Sequence, residues 1–109
     1  MNQDINRLLM ELERSIRTIN HEVINPQITE LTIDGLRPVL CLVANARARY
    51  LKALFDLGAS EDESKERPTE AQFEDLRQLR LEYDELVSGA KALETAIQRG
   101  YLDVIQASR

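Results

Sequence analysis

Ile5, Leu9, Leu12, Ile16, Ile19 and Val23 follow one another at steps of 4, 3, 4, 3 and 4, with mostly polar or charged residues between them. Alternating steps of three and four draw a single apolar seam along a helix, the a and d positions of a heptad. No glycine or proline interrupts the stretch, so the spacing predicts a first helix over residues 3–24. Pro26 is its stop. It has no N–H to give to the carbonyl of Glu22, and it biases Asn25 away from helical geometry. The stretch that follows, "ITELTI", is rich in β-branched residues, and the pattern leaves residues 27–34 open between an extended segment and a weak helical turn.

A second helix is predicted over 35–57, with Asp34 as its N-cap and Pro38 in its first turn. Leu36, Val39, Val43, Ala46, Tyr50, Ala53 and Leu57 make one stripe, and Leu40, Ala44, Leu51 and Leu54 make another beside it. Two adjacent stripes form a wide apolar face, which suits a helix packed against two partners at once. Cys41 falls between Leu40 and Leu42 and is expected in that core. Gly58 is expected to close the helix as its left-handed C′ residue. Residues 58–68, "GASEDESKERP", then read as an acidic loop.

The third helix is predicted over 70–99. Thr69 and Gln72 have capping-box spacing, and Glu70 and Glu74 sit where the helix dipole favours negative charge. Its seam is Leu76, Leu79, Tyr83, Leu86, Ala90, Leu93 and Ile97. Beyond Gly100, Tyr101, Val104 and Ile105 keep helical spacing, which predicts a short helical tail. At about 1.5 Å per residue the three helices span roughly 30, 33 and 45 Å, so the third outruns the others. The expected fold is all-α, one helical domain over 1–109. It is an up-down-up three-helix bundle with coiled-coil-like seams, pairing as a homodimer through the long seams, with the overhang and tail and the acidic loop as expected binding surfaces. Leu93, Ile97, Tyr101, Val104 and Ile105 are the expected interface.

Charge changes this picture only at one place. The net charge is −5, and all of it arises within residues 60–75; the rest of the chain balances. Without a basic face, neither nucleic acid nor an anionic membrane is expected as a partner. The longest apolar-rich run, "VLCLVANA", is far below the roughly 20 residues of a membrane span. One cysteine gives no internal disulfide, which with the lack of a leader-like N-terminus predicts a cytoplasmic protein.

Candidate chemistry is sparse. The lone histidine, His21, falls at heptad position f, away from the seam and in the last turn of the first helix. There an imidazolium would complement the helix dipole. His21-Glu22-x-x-Asn25-Pro26, preceded by Ile16 and Ile19, resembles the H-box of bacterial histidine-kinase dimerisation domains. The resemblance implies a phosphoacceptor at His21, a proton-transfer role for Glu22, and an influence of Asn25 on attack at the phosphoryl group. The sequence departs from that pattern at Gln27, where the family prefers an apolar residue, and in the helix break that follows. No second histidine or cysteine accompanies His21, so no metal site is expected, and no phosphate-binding glycine loop or other cofactor motif is seen. The leading expectation is a small non-enzymatic interaction module, an adaptor, regulator or chaperone-like protein. It would form a homo-oligomer or bind a protein partner. A histidine phosphotransfer protein is the alternative.

Overall fold

The computed structural model describes residues 1–29, 31–59 and 67–105. The fold is all-α. Helix α1 is Asn2–Ile24, a 3-10 turn covers Asn25–Gln27, α2 is Ile33–Ala59 and α3 is Glu70–Gln98. No described residue is in a strand. Most of the acidic loop lies outside the described residues.

The chain gathers into two compact units. One comprises Met1–Leu36 and Ala92–Arg109, the other Arg37–Lys91.

In the first unit α1 ends at Ile24, ahead of Pro26, but Asn25 keeps helical angles (φ −57°, ψ −40°) instead of leaving them, and the chain tightens into the 3-10 turn. Asn25 caps it by donating its backbone N–H to the His21 carbonyl, and Ile28 N–H closes the 3-10 turn on the Asn25 carbonyl. The start of α2 differs from the expectation. Its N-cap is Thr32, not Asp34: Thr32 Oγ1 accepts the N–H of Gly35 at 2.9 Å. That is the N3 donor, one of the four amides that a helix start leaves without an internal partner. Asp34 instead occupies the first turn, where the dipole favours its charge. Pro38 consequently lies inside the helix rather than in its first turn.

The end of α3 settles the role of Gly100, which has φ 79°. Its N–H donates to Ile97 O, and Tyr101 N–H donates to Ala96 O at 2.8 Å. These two bonds are a Schellman closure with glycine at C′, the position that tolerates left-handed geometry. The helix therefore stops. The tail from Tyr101 to Ile105 is not helical, contrary to the sequence expectation. It turns back instead, and Ile105 N–H donates to the carbonyl of Leu31 at 2.7 Å. Leu31, Ala96 and Leu102 form a small buried cluster, with Ile24, Leu36, Leu93, Ile97, Tyr101 and Val104 packed around it.

The second unit is an antiparallel pair of helical segments. Arg47 lies opposite Tyr83, while Leu57 lies near Gln72 and Leu76, so residue numbers rise on one segment as they fall on the other. The inner stripe of α2 is the first of the two expected stripes. Val43 is buried and Ala46 is 1% exposed, which lets the two backbones approach closely. Tyr50 stacks on Tyr83 with centroids 6.1 Å apart. The second stripe is uncovered: Leu40, Leu51 and Leu54 are exposed, as is Phe55. Cys41, expected in the core, is exposed too. It stands two residues from both Val39 and Val43, about 200° round the helix from each. Gly58 does not close α2, which runs through it to Ala59. At the start of α3 the capping box is formed. Gln72 N–H donates to Thr69 Oγ1 at 3.1 Å, and Thr69 N–H to Gln72 Oε1 at 2.8 Å.

Candidate functional site

The first unit holds both the resemblance carried by His21 and the exposed apolar seam of α1, and they lie on different faces of that helix. With Ile16 at a and Ile19 at d, the positions b and f carry Arg17, His21 and Ile24. The tail docks on that side. His21 Nε2 donates to Asp103 Oδ2 at 2.9 Å. Four residues on, one helical turn later, Asn25 Oδ1 accepts the backbone N–H of Asp103 at 3.0 Å. Arg17 lies against Gly100, its Cδ 3.5 Å from where a Cβ would stand. The histidine and asparagine of the H-box-like stretch thus share one partner, the side chain and amide of Asp103. Glu22 is exposed.

Asp103 has no recognisable sequence signal, because nothing in "GYLDVI" indicates that the chain reverses there. Gly100 was the available clue, since a glycine just past an apolar-periodic stretch often closes a helix. The expected interface residues Leu93, Ile97, Tyr101 and Val104 are half-buried around Leu31, Ala96 and Leu102, whereas Ile105 is exposed.

On the opposite side, α1 presents the whole of its seam. Ile5, Leu9, Leu12, Ile16, Ile19 and Val23 are each between 41% and 61% exposed, and no residue of α1 is buried. Leu8, at the adjoining g position, is exposed as well. Charge along α1 is kept off this face. Asp4 and Arg7 pair with each other at c and f, and Glu11, Arg14 and Arg17 occupy c, f and b. Only Glu13 at e and Glu22 at g flank the seam.

A cleft between α1 and the end of α3 is lined by Glu13, Ile16, Arg17, Gln98, Arg99 and Tyr101. Its two guanidinium groups share the wall with a carboxylate, so it has no single-signed field for an anion. In the second unit, Arg47 Nε donates to Tyr83 Oη at 3.1 Å and its guanidinium lies 5.4 Å from the ring centroid. Arg49 pairs with Glu82 at 3.7 Å and Lys52 with Asp56 at 2.8 Å. The basic cluster of α2 is engaged within its own unit. Among the described residues no group of three or more His, Cys, Asp or Glu side chains is placed to hold a metal, and no described helix is long and apolar enough to cross a membrane.

No protein-family model matches this sequence, and neither a curated protein nor a solved structure matches it significantly.

Proposed function

We propose that this chain is a small helical protein–protein interaction module with no catalytic chemistry of its own. Its contact surface is the a/d face of α1. The observation that carries the reading is the exposure of six consecutive apolar layers on a regular helix, with charges directed elsewhere. Monomeric proteins rarely leave contiguous apolar patches of more than a few hundred Å² open to water, and larger ones mark interaction sites. Leu93, Ile97, Tyr101 and Val104 serve to hold the first unit together, and Ile105 is exposed at the end of the tail.

Histidine phosphotransfer at His21 is the weaker reading. The family's acceptor stands on a long continuous helix, whereas here α1 ends within a turn of His21 and the tail covers that side of the helix through the His21–Asp103 bond. Purification of the full chain from a lysate of its source, as wild type, Leu12→Glu and His21→Ala, tests both. Complexes lost with Leu12→Glu and kept with His21→Ala support the module. Response-regulator receivers recovered only when His21 is present would overturn it.

A further inference from the structure

We infer that the occupant of the α1 seam is α1 of a second copy of this chain, lying parallel to it and in register as a two-stranded coiled coil. This rests on the interaction-module reading and names its partner. Three observations carry it. The first is area. Seven apolar side chains on this face, Leu8 included, are 41–65% exposed. At about 100 Å² each they offer roughly 700 Å², close to the ~800 Å² that one partner gives to a stable interface. Positions 5 to 23 run without a polar residue at a or d. The exposed stripe of α2 lacks that continuity, since Arg47 stands in line between Ala44 and Leu51 and is held by Tyr83.

The second is charge. A partner of opposite charge would need charged flanks to read, and the e and g positions offer Asn6, Glu13, Asn20, Leu8, Ser15 and Glu22. In a parallel pair each g position meets the e′ position five residues on. Leu8 then meets Glu13′ and Ser15 meets Asn20′, while the e′ partner of Glu22 would fall beyond the end of α1 at Ile24, so no like charges touch. In the antiparallel register that overlaps all six layers, e meets e′ and Glu13 stands against its own copy. The flanks suit self-association in one orientation. A membrane surface is disfavoured by the same inventory, because the polar side of α1 mixes Asp4, Glu11, Glu13 and Glu22 with three arginines rather than presenting a basic face.

The third is access. The tail of the same chain sits on the b and f side, at Arg17 and His21, and the end of α3 faces Ile16 across the cleft, which leaves the other five seam residues and Leu8 more than half exposed. Ile16 and Val23 at a and Leu12 at d are residues that favour two strands, set against Leu9 at a and Ile5 and Ile19 at d, so the strand number is read from the mass.

The test uses the full chain with Cys41→Ser, because the exposed native thiol would also cross-link. Sedimentation equilibrium reads the mass, and Ile5→Cys and Arg7→Cys are each oxidised in that background. In a parallel in-register pair the two Ile5 positions face each other and the two Arg7 positions point away. The expected result is a dimer mass, a disulfide-linked dimer for Ile5→Cys but not for Arg7→Cys, and at least a tenfold weaker dimer for Leu12→Glu. Ile5→Cys that cross-links only when mixed with Val23→Cys would overturn the parallel arrangement, and a trimer mass would overturn the two-stranded one. A monomer whose α1 amides exchange rapidly and which floats with vesicles containing phosphatidylserine would overturn the second copy as occupant in favour of a lipid surface. A monomer whose α1 amides are protected would overturn the module reading too, because the seam would then be covered within one chain.

Discussion

Helices α1 and α2 carry apolar stripes of the same period, yet they meet different fates. The inner stripe of α2 is covered by α3, to the point that Ala46 is 1% exposed. The seam of α1 is the cleaner pattern, with its charges better segregated, and nothing in α1 is buried. The difference teaches that periodicity specifies a face that must leave water without specifying what covers it. A stripe directed at a neighbour in the same chain and a stripe directed at another molecule look alike in sequence. What separates them is connection. The part of α2 in the second unit meets the part of α3 that returns antiparallel to it, whereas the hydrogen bonds that tie α1 to the tail are made away from the seam, where Asp103 docks.

The sharpest way to break this comparison is to place the same charge in each stripe. Val43→Asp should cost about 4 kcal/mol or more, because it buries an unpaired carboxylate. Leu12→Asp should change chain stability by no more than about 0.5 kcal/mol when measured at concentrations where the chain is monomeric. Urea unfolding followed by circular dichroism checks both, and equal losses would show that the two stripes are not different in kind. Next in size is the first unit's own core. Leu102 is 3% exposed, and Leu102→Ala should cost about 2–5 kcal/mol through lost burial and the cavity left behind. It should also speed amide exchange at Ile105, whose N–H bonds Leu31.

Two glycines provide a smaller contrast of opposite sign. Gly89 lies inside α3 with open space where a Cβ would stand, so Gly89→Ala should stabilise by about 0.5–1 kcal/mol. Gly100 has φ 79°, so Gly100→Ala should destabilise by about 1–2 kcal/mol even though the added Cβ would meet only the end of Arg17 at ordinary distance. Midpoint shifts in urea give both values. The smallest effect belongs to His21→Ala. Its bond to Asp103 joins two solvent-accessible side chains, and exposed pairs of this kind contribute about 0–1 kcal/mol.

Much of the helical layout was legible in the sequence. The stop before Pro26, the capping box of Thr69 and Gln72, and the inner stripe of α2 all rest on local chemistry that acts within one or two turns. The misreadings share a cause, which is competition between two locally adequate candidates. Asp34 and Thr32 are both good N-caps, and the earlier one wins because the helix can start there with its N3 amide satisfied. Gly58 and Gly100 can both close a helix; at Gly100 the tail reverses onto Leu31, whereas α2 runs on through Gly58 to Ala59. Cys41 was misplaced because two apolar stripes were assumed buried and one is. The clasp of His21 and Asn25 on Asp103 joins residues about eighty positions apart, a distance over which no spacing rule operates.

The first unit is built from two stretches of chain that flank the second, and this sets an order of events during synthesis. At about 5–20 residues per second, α1 is complete for several seconds before Leu102 and Asp103 are made. During that interval its tail-docking side has no tail, while the seam on its other side is already whole. On a messenger read by successive ribosomes, the α1 pairing inferred above would have its surface ready before either chain's Asp103 is made. Partner choice would then precede completion of the fold.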